Sequence, residues 1–158
     1  MKTSPLLTLV SISLLFMSNS CHKDNDATDE VCPSTTITIS PLPGLAAFSP
    51  ACFGGTLANI GESKQYTINS AADYAAMFSC TPAPAIDFST NTLLVGKTKT
   101  VSGSFVAFQQ VQLTCSGYKY SVTLGDGVTT AVMETVYYVL VPKIPTSAQV
   151  AFEIKGPK

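Results

Sequence analysis

Tyr118, Tyr120, Val122 and Leu124 alternate with polar or small residues, and this two-residue period is what most constrains the fold. Successive strand side chains point to opposite faces, so the run predicts a strand with one apolar face. Upstream, Phe105, Ala107, Val111, Leu113 and Cys115 share one parity. Gly125-Asp126-Gly127 reads as a turn between two strands. Residues 128–141 form a long β-branched and aromatic segment, expected to bend or bulge near Glu134, which Pro142 and Pro145 stop. Residues 149–154 predict a last strand.

The first half is less regular. Residues 35–40 are β-rich and end at Pro41, Pro43 and Gly44. A turn-rich stretch through Phe48, Cys52, Gly54 and Gly55 is expected to lie across the surface, held by a disulfide. Residues 56–60 and 65–69 predict short strands about a turn at Gly61 and Glu62. Ser70 opens the one helix signal: it can cap the N-terminus, Asp73 favours the same end, and Tyr74, Met77 and Phe78 share a face. Pro82 and Pro84 end it, and Thr92-Leu93-Leu94-Val95 predicts a strand covered on both sides. The fold class is therefore mainly β (α+β), an antiparallel β-sandwich or open barrel with one short helix over one face or end.

The N-terminal residues carry a location signal. Lys2, the mostly apolar residues 6–17 and the small residues before Cys21 read as a signal peptide. The apolar run is too short to span a bilayer, which takes about 20 residues. The Asn19-Ser20-Cys21 sequence resembles the cleavage site of bacterial lipoproteins. That resemblance implies a mature chain beginning at an acylated Cys21 and held to the membrane by it. His22-Lys23-Asp24-Asn25-Asp26 resembles the short Lys-plus-acid tags that send lipoproteins of Gram-negative bacteria to the outer membrane and cell surface. The expected organisation is a signal peptide at 1–20, an acidic tether at 21–34 and a single β-rich domain at 35–158.

Composition narrows the chemistry. The nine basic residues are all lysine, and formal net charge is −1. Without arginine no bidentate grip on phosphate or guanine is available, so nucleic acid is not an expected partner. Apart from Cys21, four of the five cysteines remain: Cys32, Cys52, Cys80 and Cys115. An even number in an exported chain predicts two disulfides. Three pairings are open; the favoured one joins Cys32 with Cys52 and Cys80 with Cys115. The second link would dock Met77 and Phe78 against Phe105, Val111 and Leu113. Zinc is not expected, since no C-x-x-C pair exists and the one histidine, His22, lies in the tether.

A Ser-His-Asp or Cys-His site needs an imidazole, and the domain has none. Its carboxylates are Glu62, Asp73, Asp87, Asp126, Glu134 and Glu153. A pair meeting in space would allow glycosidase chemistry, but cap and turn roles suit Asp73, Asp87 and Asp126 better. Asp24, Asp26, Asp29 and Glu30 lack the glycine and terminal glutamate of a calcium loop. Cys52-Phe53-Gly54-Gly55 lacks the lysine and strand-helix setting of a phosphate cradle. No catalytic, metal-binding or cofactor-binding residue is expected. Tyr118, Tyr120, Tyr137 and Tyr138 are expected in cross-strand core packing.

Ile68-Asn69-Ser70 before the helix, Ile86-Asp87-Phe88-Ser89, Thr92-Leu93-Leu94-Val95-Gly96 and Tyr137-Tyr138-Val139-Leu140-Val141-Pro142-Lys143 carry a family likeness. Across residues 65–154 the chain resembles the C-terminal domain of the protease-complex-subunit PrcB family and its lipoprotein relatives. The resemblance implies a non-enzymatic accessory role, stabilising or assembling a partner protease. Ser102-Gly103-Ser104-Phe105 is similar to the family's glycine-rich turn followed by an aromatic, which makes these four residues candidate partner contacts. A small β domain with protruding loops also resembles chagasin-like protease inhibitors, the alternative reading. A small cell-surface hydrolase is the second alternative.

Overall fold

The computed structural model describes residues 33–42, 44 and 49–156. The leader, Cys21, Cys32 and most of the tether lie outside the described residues. Strands β1 (Thr35–Ile37), β2 (Ser63–Ile68), β3 (Asn91–Thr100), β4 (Ser104–Thr114), β5 (Gly117–Asp126), β6 (Met133–Pro142) and β7 (Val150–Lys155) accompany one helix, α1 (Ala71–Met77). They form a four-stranded sheet, β1-β4-β5-β7, and a three-stranded sheet, β2-β3-β6. All ladders are antiparallel except β5–β7. The fold is a mainly β sandwich, not a closed barrel.

The apolar run at Thr92-Leu93-Leu94-Val95 becomes the middle strand of the three-stranded sheet, buried on both faces. One face meets the other sheet: Leu94 joins Val111, Tyr120, Val122, Leu124, Tyr137, Val139 and Val141 in the inter-sheet core. Tyr120 and Tyr137 are fully buried in it, in edge-to-face contact. Gly96 sits opposite Tyr137, where a Cβ would lie 2.5 Å from the ring. The other face of β3 puts Leu93 and Val95 into a second cluster with Cys52, Phe53, Ile68, Tyr74 and Phe78. Three layers therefore stack: sheet, sheet, and a cover made of α1 and the segment 50–58.

The helix forms as its sequence predicts. Ser70 caps it, its Oγ accepting from the Asp73 backbone N–H at 3.1 Å, and Tyr74 stacks on Phe78 inside the cover.

Several expectations are corrected. Cys52 pairs with Cys80, 28 residues apart, so the favoured Cys32–Cys52 and Cys80–Cys115 pairing is wrong. Cys115 is also disulfide-bonded. The bond instead ties the turn-rich segment to the chain just past α1, where Phe53 bridges Phe78 and Gly54 N–H donates to Met77 at 3.0 Å. That segment is core rather than surface, with Cys52, Phe53 and Leu57 buried.

Residues 56–60 form no strand, because side chains take their donors. Leu57 N–H donates to Glu134, and the N–H groups of Ala58 and Asn59 to Glu62. Residues 127–132 are no tight hairpin: β5 and β6 belong to different sheets, and the connection crosses between them. Finally, the bulge lies in β4, between Val106 and Phe108, while β6 runs in unbroken register from Met133. The extra residue shifts the parity, so Phe105 points to solvent while Val111 stays in the inter-sheet core. Met77 and Phe78 accordingly pack in the cover's cluster and not against Phe105, Val111 and Leu113.

Candidate functional site

Residues 101–103, joining β3 to β4, and residues 127–132, joining β5 to β6, meet at one end of the sandwich. Gly103 N–H donates to Thr129 O at 2.9 Å, and Gly127 N–H to Gly103 O at 2.7 Å. A side chain at Gly103 would collide with Thr129, and a Cβ at Gly127 would stand 2.5 Å from Gly103 O, so glycine permits this close lacing. Thr100 Oγ1 anchors the first turn, donating to Ser102 O at 2.6 Å.

This tip is apolar and uncharged. Val128 is wholly exposed, and Val101, Val132 and Met133 are about half exposed. No charged residue occurs in 100–118 or in 127–133. Of the charges that flank it, Lys99 Nζ donates to Leu57 O at 2.8 Å and Glu134 turns inward, while Asp126, next to Gly127, is exposed. Large contiguous exposed apolar patches are a common feature of interaction sites.

Behind the tip, a cavity of about 440 Å³ opens between the β4 and β6 edges, lined by Val106, Gln109, Thr135, Tyr137 and Glu134 among others. Glu134 is its ionisable acid. That carboxylate accepts from Leu57 N–H at 2.6 Å and from Lys97 Nζ at 3.2 Å, Lys97 itself being fully buried. Burial pushes the Tyr137 hydroxyl up to about 12, so it stays protonated at physiological pH. The group of residues supplies hydrogen bonds and shape. Among the described residues that line it, Glu134 is the one carboxylate.

The other carboxylates are spread over separate structural tasks. Asp87 accepts from Ser89 Oγ at 2.6 Å, Ser89 N–H at 2.9 Å and Thr90 Oγ1 at 2.8 Å, and these bonds hold its acid below the usual range. Glu62 is lowered chiefly by its backbone bond to Asn59. Asp73 receives the Ser70 hydroxyl at 2.6 Å. Glu153 is held by Lys119 and Lys155 on the outer face of the four-stranded sheet. Among the described residues no three of His, Cys, Asp or Glu gather to hold a metal ion.

The four candidate contacts divide. Ser102 and Gly103 lie in the tip. Ser104 bonds Thr135 across the sheets at 2.6 Å. Phe105 is displayed on the outer face of the four-stranded sheet, its Cζ within 2.6 Å of where a Gly125 Cβ would stand. Val128, Val132 and Met133 were missed because their β-branched run reads as strand; the charge-free run from 127 to 133 was the available signal. Comparison with protein-family models, curated proteins and solved structures finds no match to this chain.

Proposed function

We propose that this protein is a lipid-anchored, non-enzymatic binding module of the outer membrane or cell surface whose tip docks a partner protein. The uncharged apolar tip of Val101, Val128, Val132 and Met133 is the observation that carries this reading. Apolar surface of this kind repays removal from water at about 25 cal/mol per Å². The lipoprotein-like Asn19-Ser20-Cys21 supports the anchor, because several acyl chains hold where a single one binds marginally. The likeness to PrcB-family domains favours a protease as the partner, stabilised rather than degraded.

The test is a pull-down from the native envelope with tagged wild-type chain and with a V128D/V132D variant. A partner recovered with wild type and lost with the variant is the expected result. Adding the protein to that partner then separates the readings, since a scaffold prolongs the partner's half-life whereas an inhibitor blocks it at equimolar amounts. Hydrolysis of a peptide or glycan, abolished by changing one carboxylate, would overturn the non-enzymatic reading. For the anchor, Cys21→Ser is expected to shift the protein out of the membrane fraction.

A further inference from the structure

The outer face of the four-stranded sheet has no cover among the described residues. It nevertheless carries two aromatic rings, Phe105 and Phe108, each 55 % exposed. Three positions apart on a regular strand, they would point to opposite faces. The bulge between Val106 and Phe108 makes the difference: Phe105 sits opposite Gly125 and Phe108 opposite Thr123, both outward-facing positions of β5. A bulge leaves a residue unpaired and is the ordinary way a strand re-aims a side chain. Gly125 is the second device, since the far end of the Phe105 ring occupies the space its Cβ would fill, so the ring reaches across onto β5.

What lies beside the rings narrows the ligand. Along β4 and β5 the outward positions continue as Gln110 opposite Ser121 and Gln112 opposite Lys119. β4 carries no charge at all. The one carboxylate of this face, Glu153, is taken up by Lys119 at 2.6 Å and Lys155 at 3.0 Å. The stretch along β4 therefore offers aromatic surface beside neutral amides and hydroxyls, while Lys119, Lys155 and Glu153, with one positive charge over, lie toward the β5 and β7 side. A lipid surface would bury these amides without partners, at a cost, and the centre of a protein interface favours continuous apolar surface. A sugar ring has the complementary make-up: an apolar C–H face to set on an aromatic ring, and a rim of hydroxyls that both donate and accept, as amide and hydroxyl side chains require.

We propose that this face binds a neutral polysaccharide, Phe105 and Phe108 giving the stacking platform and Gln110 and Thr123 the hydrogen bonds. The site is separate from the tip and does not rest on the protein-binding reading.

Native gels cast with hydroxyethyl cellulose, glycogen, galactomannan or, as the charged control, polygalacturonate test it with the full chain in mild detergent. At least one neutral polysaccharide is expected to slow migration twofold or more, and polygalacturonate is not. F105A/F108A should abolish the retardation and V128D should leave it intact. Thr123→Arg, exposed and away from the core, should reduce it at least threefold and guards against a misfolded double variant. No retardation by any neutral polysaccharide, retardation that survives both F105A/F108A and Thr123→Arg, or retardation by polygalacturonate alone would overturn the proposal.

Discussion

Two sheet faces point away from the shared core, and they have opposite fates. That of the three-stranded sheet is covered by α1 and segment 50–58, whereas that of the four-stranded sheet is bare among the described residues. Both carry lysines. On the covered face Lys64, Lys97 and Lys99 reach the backbone carbonyls of the covering segment: Gly54 O at 3.4 Å, Pro50 O at 3.3 Å, and Leu57 O at 2.8 Å. An irregular segment laid over a sheet cannot join its ladder, so its buried carbonyls need other donors. The lysines supply them. On the bare face Lys119 and Lys155 meet only Glu153 in water, and hold nothing down.

The sharpest way to break this comparison is to remove the acid on the covered side. Glu134→Ala would leave the fully buried Lys97 ammonium without its counter-charge and Leu57 N–H without its acceptor. Breaking a buried pair from one side costs about 3–5 kcal/mol. The double variant K97M/E134L removes both charges and should recover most of that, leaving the Leu57 N–H penalty of about 1–3 kcal/mol. Urea denaturation of the three proteins decides. If Glu134→Ala cost no more than a surface substitution, the pair would not be holding the cover in place.

Next in size is the link that fixes the cover at its other end. Loss of the Cys52–Cys80 bond in C52A/C80A should cost about 2–5 kcal/mol. Peptide mapping without reduction should recover Cys52 joined to Cys80. It should also recover Cys115 joined to Cys32, the one cysteine left once Cys21 is acylated and Cys52 and Cys80 are paired. A Cys80–Cys115 peptide would refute both.

These two faces also separate what the sequence made legible from what it hid. Local chemistry was readable: the Ser70 cap, the doubly covered β3 and the alternation of β5 all rest on spacing within a few residues. Non-local pairing was not. Leu57 and Glu134 are 77 positions apart, and no short-range pattern tells that a β-prone segment will give its donors to a distant carboxylate. The disulfide was misassigned for the same reason, since its partner depends on where segment 50–58 packs. In β4 a single unpaired residue inverted the parity, and Phe105 moved from expected core to the solvent face. The candidate contacts at 102–105 were found as a turn, but their division between tip, seam and outer face appeared only in three dimensions.

A smaller effect sharpens the role of the cover's own ordering. Ser70→Ala removes the acceptor for Asp73 N–H at the start of α1. An N-cap lost in this way costs about 1 kcal/mol. Because Tyr74 and Phe78 of the same segment pack in the covered cluster, the loss should appear as faster amide exchange across 71–78 and leave β4 and β5 unchanged. Equal acceleration in both sheets would mean that cover and sandwich open as one unit.

The smallest effect belongs to the bare face, and pH reads it. The Lys119 hydrogen bond first, then that of Lys155, lower the Glu153 acid from its ordinary 4.5 to about 2. A depressed acid contributes stability above its unfolded value and loses it as pH falls toward the folded one. The window is therefore pH 4.5 down to 2. Glu62 and Asp87 are depressed too, so wild type should weaken across this range even without Glu153. Glu153→Gln should lie slightly below wild type in urea midpoint at pH 7, and the gap should close by pH 2. Because these charges are exposed, 1 M salt should shrink the gap at pH 7 as well. A gap that persisted at pH 2 would show that Glu153 acts through packing or its Ser121 bond, and not through its charge.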